Sequence, residues 1–486
     1  MDGVRRASRT DRSSTTRRAL LAATGLAAAA ALAGCADDDP PETTPTEATD
    51  HPPDEDVETP PEPPAESLPE GEPSAPTARL RDLVAGNADF ATSLHDRLVE
   101  ADDADNVFFS PYSVSMALAM TYAGAAGEAE AAMREALRFS LGEETHPAFA
   151  ALQDELDERE TTAGGPGGGD GGPGGGDGGN GDTGDEGDDD AVDAFQLSVA
   201  NALWGEAEFP FADEYLDTVD EHYGGGFNEA DFAGDPDGER ERINEWVEEA
   251  TEERIEDLLP EGSITPQTVL VLTNAIYFMA SWEQEFDPEE TVDGTFTALD
   301  GTESTVPMMS QNLRTSYADV PGAQAIELPY VGGDVSMVLV VPDGGRFEEV
   351  EAELSGATLF GVFDALGDAE GDLRMPRFEY EFDAALSETL RELRMGAAFG
   401  PGAEFSNMVE TGDGPGIDDV FHEAFVSVDE EGTEAAAATA VTMVESAPPE
   451  SFDLTIDRPF LFCIRDRPTD AVLFLGRVTD AGAAQG

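Results

Sequence analysis

Acidic residues outnumber basic ones by 105 to 25 in this chain of 486 residues, and the excess runs along its whole length. A formal charge of -80 would expand most folds at low ionic strength. Compact folding therefore calls for strong screening, and molar salt shortens the screening length to roughly 3 Å. Every basic residue is Arg, because the sequence contains no Lys. An acidic tail would not remove lysine from the folded part, so the composition reads as that of an extreme halophile, archaeal in type. Nucleic acid is a poor partner, since no basic patch exists to release its counterions.

The N-terminus carries "TTRRALLAATGLAAAAALAGCADDD", in which Arg17 and Arg18 precede an apolar run from Ala19 to Ala33. That run is too short and too rich in small residues for a spanning helix, and it reads as an export signal. The paired arginines point to the route that exports folded proteins. "LAGC", ending at Cys35, resembles a lipobox, whose cysteine is lipidated and becomes the mature N-terminus. Residues 1–34 are thus expected to be a twin-arginine lipoprotein signal and 35–77 an acidic Pro-rich linker. From Ala36 to Pro76 there are fourteen acids, twelve prolines and no Arg or Lys, a stiff, solvated spacer. The expected location is extracellular, anchored by lipid to the outer face of the cell membrane. If Cys35 is lipidated, Cys463 in "PFLFCIR" has no disulfide partner and is a small buried hydrophobe.

Residues 78–484 read as one domain, with 40% apolar content over the chain available for a large core. Leu83, Phe90, Leu94 and Leu98 share a helical face, and "SVSMALAMTYAGA" after Pro111 reads as a buried helix. "FQLSVANALW" alternates with period two, placing Phe195, Leu197, Val199 and Leu203 on one face. "TVLVLTNAIYF" and "VSMVLVVPD" are apolar runs of strand length. Helices come mainly first and strands mainly last, which argues for an α+β fold. A Gly/Asp-rich stretch at 162–190 repeats "GGPGGGD" but lacks the nine-residue period and the apolar residue of a calcium-binding roll, so it is expected to be a flexible insertion.

Enzyme signatures are lacking: no G-x-S-x-G, Walker loop, H-E-x-x-H or C-x-x-C occurs. Histidines are His51, His95, His146, His222 and His422, and "FHEAF" around His422 lacks the second histidine of a zinc helix. The abundant carboxylates follow from the salt adaptation. No catalytic residue, metal or cofactor is expected.

Five collinear segments resemble the serpin family of protease inhibitors. They are "NVFFSPYSVSMALAMTYAGA" (Asn106–Ala125), "LTNAIYFMASWEQEFDPEET" (Leu272–Thr291), "TVPMM" (Thr305–Met309), "LRMPRFEYEF" (Leu373–Phe382) and "DRPFLFCIRDRPTDAVLFLGRV" (Asp457–Val478). The resemblance implies three β-sheets, eight or nine helices and an exposed reactive loop, with the largest sheet able to open between two parallel strands. It also implies suicide inhibition of a serine or cysteine endopeptidase: the target cuts the loop, is held as an acyl-enzyme, and is carried along as the loop inserts into the sheet. Ser110, Ser113, Asn274 and His422 match the polar cluster that fastens that sheet at its middle, and Trp282 matches the residue where the loop starts into it. Many relatives carry a basic partner for the glutamate matching Glu430 at the position of Thr305, and this chain has none there. Relatives that bind heparin use basic helices, so this acidic chain is not expected to bind heparin-like polyanions. It is expected to be a monomer.

"EEGTEAAAATAVTM", Glu430 to Met443, matches the hinge of the reactive loop, with Glu430, Gly432, Thr433, Glu434, Ala435, Ala436, Ala437 and Ala438 as hinge residues. The alanines favour helix, whereas Thr439, Val441 and Thr442 favour strand, so the segment suits two conformations. Gly432 through Glu445 contains no Pro, as a future central strand requires. Thr433, Ala435, Ala437 and Thr439 would face one side and are small enough to enter a closing layer. Extended, Gly432 to Ser446 would span roughly 45 Å at ~3.3 Å per residue. Counting along the hinge places the scissile bond at Ser446–Ala447; counting back from Pro448 and Pro449 places it at Glu445–Ser446. A small Ser suggests a subtilisin-like or elastase-like target, Glu a glutamyl endopeptidase; the first is favoured. The alternative function is a non-inhibitory binding protein on the same fold at the cell surface, although such members typically carry bulky, charged or Pro residues in the hinge.

Overall fold

The computed structural model describes residues 75–102, 106–163, 195–224, 226–400, 402–412, 414–433 and 450–485. The signal, Cys35, nearly all of the linker and insertion, hinge residues Glu434 to Ala438, and Glu445, Ser446 and Ala447 lie outside them. Nine α-helices occur among the described residues: α1 (Ala75–Asp102), α2 (Pro111–Tyr122), α3 (Gly127–Ala136), α4 (Thr145–Ala163), α5 (Asp213–Tyr223), α6 (Pro236–Ala250), α7 (Phe347–Ala352), α8 (Gly356–Ala365) and α9 (Leu386–Leu390). The strands are β1 (Asn106–Phe109), β2 (Phe195–Glu206), β3 (Phe227–Ala230), β4 (Leu270–Ser281), β5 (Val292–Thr297), β6 (Glu303–Val320), β7 (Ala323–Pro329), β8 (Val335–Pro342), β9 (Gly367–Pro376), β10 (Phe378–Ala385), β11 (Val420–Val428), β12 (Gly432–Thr433), β13 (Glu450–Thr455), β14 (Phe460–Asp466) and β15 (Ala471–Val478). Helix α1 includes residues 75–77 of the expected linker, and α4 continues to Ala163, into the expected insertion.

These strands form two hydrogen-bonded sheets, and the larger has two parts. The 18-residue β6 pairs with β9 along one edge, and its other edge is shared between β5 at its start and β7 at its end. One strand therefore joins β5, β9 and β13 to the stack β1-β15-β14-β8-β7. The three sheets implied by the resemblance are present as this bipartite sheet and a six-stranded one, ordered β10-β11-β4-β2-β3 with β12 beside β4.

The six-stranded sheet is covered on both faces, which is why β4 lacks the alternation of a half-exposed strand. Ile276 and Phe278 pack into the main core with α2. Ala275, on the opposite face, packs with Val247 of α6 and with Ile255 and Leu258 beyond it. Helix α2 is buried all round, as its apolar sequence requires. Ser110 caps it by accepting from Ser113 N, and Pro111 stands at its first turn, where its missing N–H costs nothing. Leu83, Phe90, Leu94 and Leu98 of α1 are all buried, as their spacing predicts. Cys463 is a free, buried cysteine whose thiol burial pushes up to about 12.

Candidate functional site

The six-stranded sheet contains one parallel seam of particular interest, between β4 and β11. Their ladder runs from Val420–Leu272 to Ala424–Ile276. After β11 the chain turns at Asp429 to Glu431 and comes back as β12, pairing antiparallel with the end of β4 through Gly432–Ser281 and Thr433–Ala280. Two residues of the predicted hinge, Gly432 and Thr433, are therefore already laddered onto β4, on the edge that faces β11. A Cβ at position 432 would run into the Ala280 carbonyl, so glycine is what allows this approach.

Thr433 is 1% exposed, and its hydroxyl lies 2.8 Å from the hydroxyl of Tyr330. Thr433, the hinge residue whose side chain must turn inward as the loop enters the sheet, is thus already inside. Trp282 stacks on Tyr330 at 4.5 Å with the rings 8° apart, and its indole N–H donates to Asp429 O at 3.0 Å. Trp282 N donates to Glu431 O and Phe286 N to Glu430 O, so backbone bonds secure the turn as well. Glu430 is buried, accepting from Thr291 Oγ1 at 2.6 Å and pairing with Arg377 Nη1 at 3.4 Å. The missing counter-charge at Thr305 is thus supplied from Arg377, between β9 and β10, while Thr305 pairs with Thr295 across β5 and β6.

Lower on the same seam, Ser110, Ser113, Asn274 and His422 come together. Ser110 Oγ donates to Leu473 O at 2.7 Å, and Ser110 N donates to His422 Nε2 at 3.3 Å. Since that nitrogen accepts, Nδ1 carries the proton and donates to Asn274 Oδ1. The Asn274 amide then donates to Ser113 Oγ at 2.8 Å and to Asn201 Oδ1 at 2.6 Å. Ser113 Oγ donates to Asn201 Oδ1 at 2.9 Å, and Asn201 Nδ2 donates to Ser113 O at 3.1 Å. Burial pushes the His422 imidazole down to about 4, and its bond to Asn274 works in the opposite direction. The network joins β11, β4, β2 and α2, so it spans the seam: His422 stands opposite Asn274 in the parallel ladder.

Asn201, Tyr330 and Arg377 escape a reading of the sequence. Asn201 left a signal, being the polar break in the face that carries Leu197 and Leu203. Tyr330 left none. Among the described residues no group of His, Cys, Asp and Glu is arranged to hold a metal ion, and no helix is long and apolar enough to cross a membrane.

Residues 85–481 match the family model described as serpin (serine protease inhibitor). An uncharacterized serpin-like protein of Thermococcus kodakarensis is 36% identical over 381 residues, covering 78% of this chain and 81% of that one. The leukocyte elastase inhibitor of Sus scrofa is 34% identical over 409 residues, covering 82% of this chain and 100% of its own. The structure of tengpin, a thermophilic serpin in its native state, superposes with a TM-score of 0.65 at 27% identity, covering 82% of this chain and 94% of that one. The chain belongs to the serpin family. Members of this family are generally protease inhibitors rather than enzymes.

Proposed function

We propose that this chain inhibits a serine-type endopeptidase, or a cysteine-type one, by surrendering its loop to cleavage, trapping the acyl-enzyme and drawing the cut loop into the seam between β4 and β11. One observation carries the reading: Gly432 and Thr433 already form the first rungs of an added strand on β4, and the residues that follow are small and free of proline. Strand addition to a sheet and loop insertion in serpins are established modes of strain release. Ser110, Ser113, Asn201, Asn274 and His422 act as the fastening that breaks and re-forms as the seam opens, and Trp282, Tyr330, Glu430 and Arg377 act as the point where insertion starts. Cleavage falls at Ser446–Ala447, with Glu445–Ser446 as the second choice. A small Ser446 suits a subtilisin-like target, and the porcine relative is named as an inhibitor of an elastase.

Incubation with a halophilic subtilisin in molar salt is expected to give a complex that survives denaturant. Cleaved chain together with full residual protease activity would refute inhibition and favour a non-inhibitory binding protein. We also propose that the chain is exported by the twin-arginine route in a halophile and held outside the cell by lipid on Cys35, the spacer holding the domain off the membrane. A Cys35→Ser variant is expected to move from the membrane fraction to the medium, since lipid supplies most of the membrane affinity. A wild-type protein already wholly soluble would refute the anchor.

A further inference from the structure

The face of the seam turned toward α6 is covered by residues 251–259, which run from the end of α6 toward β4. Two consecutive non-glycine residues there, Glu252 and Glu253, have left-handed φ of 53° and 63°, a conformation that costs L residues energy. Directly after them, the Arg254 guanidinium lies 5.9 Å from the ring of Tyr277 on β4 and 5.7 Å from the ring of Phe425 on β11. One side chain thus bridges both strands that must part, and it also hydrogen-bonds Tyr277.

Beside Phe425 on the same face stands Glu423, 8% exposed. Asp383 of β10 is directly opposite it, and Glu381, two residue pairs further along the ladder, lies on the same face of the sheet. From the covering segment Asp257 faces it, itself held by Asn244 of α6 at 3.4 Å. Carboxyl groups crowded on one buried face cannot all ionise, so one of them holds a proton. Burial, then Glu381, Asp383 and Asp257, raise the Glu423 carboxyl to about 8.

We propose that protonated Glu423, seated against Glu381 beneath residues 251–259, is a proton-operated latch on the seam between β4 and β11. Lifting the segment lets water in, the O–H bond of Glu423 breaks, and the proton leaves to solvent, so opening is coupled to release of one proton. Above the pH at which Glu423 ionises in the closed state, four carboxylates repel across the segment and the seam opens without that coupling. The proposal rests on the insertion reading, and its test is independent of inhibition.

The test is hydrogen exchange of residues 272–276 in the full uncleaved chain, in molar salt from pH 5 to 9, corrected for intrinsic exchange rates. Protection is expected to fall up to tenfold per pH unit between about 6.5 and 8 and to level off above, whereas below about 6.5 proton uptake by His422, which burial holds down to about 4 in the closed seam, offsets the release from Glu423. Glu423→Gln is expected to flatten the profile between about 6.5 and 8, and Arg254→Ala to lower protection at every pH while keeping the slope. A flat wild-type profile, or an unchanged slope in Glu423→Gln, overturns the latch. If Glu423→Gln folds poorly, Glu381→Gln serves: the break in its profile is expected below 8, and an unmoved break overturns the proposal. The same samples are assayed for trapped protease. A pH-dependent seam without trapping sustains the latch and refutes the insertion reading; trapping with a flat seam does the reverse.

Discussion

Thr433→Arg is expected to turn the chain from an inhibitor into a substrate. Thr433 is 1% exposed, bonded to the hydroxyl of Tyr330, and paired with Ala280. Around that pair lie Phe278 and Trp282, whose rings pack on Tyr330. An arginine there would bury a charge against these aromatic rings, at a cost of several kcal/mol unless the side chain escapes. Escape is open, because Thr433 pairs near the end of β4, close to the turn at Asp429 to Glu431. The variant therefore folds, but its hinge starts outside the sheet and insertion must pass the same barrier. A rise of 1.4 kcal/mol in that barrier slows insertion about tenfold, and hydrolysis of the acyl-enzyme then wins. The bait bond is expected to be cut as before, with the moles of chain consumed per mole of protease silenced rising tenfold or more. Thr433→Ser, which keeps the hydroxyl, is expected to behave as wild type. An unchanged ratio in the arginine variant would show that the hinge is not the working part.

The elements were legible where one rule governs them and hidden where two surfaces compete. Leu83, Phe90, Leu94 and Leu98 declared α1 because only one face of that helix meets the core. β4 declared itself through apolar residues on both sides of Thr273 and Asn274, as a strand covered on both faces does. The polar cluster was legible through the resemblance, and Asn201 could have been added from its own position in the β2 alternation. Arg377 was not legible, since which cation reaches Glu430 depends on how β9 and β10 meet beside the turn at Asp429. Position 305, collinear with the family's segments, ends up paired within the β5–β6 ladder. Sequence shows that a segment can enter a sheet, whereas the antiparallel rungs on Ala280 and Ser281 show that Gly432 and Thr433 are already in it.

Acid is expected to weaken this fold through two buried histidines, against an opposing carboxyl. Burial lowers His422 to about 4, and burial followed by His222 lowers His146, whose Nδ1 meets the Tyr223 hydroxyl at 2.7 Å, to about 4 as well. Both folded values lie below the unfolded value near 6.5. The unfolded chain therefore binds more protons between pH 6.5 and 4, and stability is full above 6.5 and falls as pH drops toward 4, where the folded histidines also protonate. Each histidine contributes about 3 kcal/mol over the full window, or about 2 kcal/mol between pH 6.5 and 5. Glu423 has the reverse sign: its folded value of about 8 lies above the unfolded one, so between pH 8 and 4.5 the folded chain binds the extra proton and gains stability as pH falls. Two protons against one leave a net slope of one, about 1.4 kcal/mol per pH unit from 6.5 to 5. Denaturant midpoints measured in molar salt at closely spaced pH values give that slope. His422→Gln is expected to bring it near zero, because the fastening network loses its only titrating member, whereas Glu423→Gln is expected to double it. If both substitutions left the wild-type slope unchanged, the protons counted here would belong to other groups, and neither the neutral imidazole across the seam nor the protonated carboxyl beside it would exist as described.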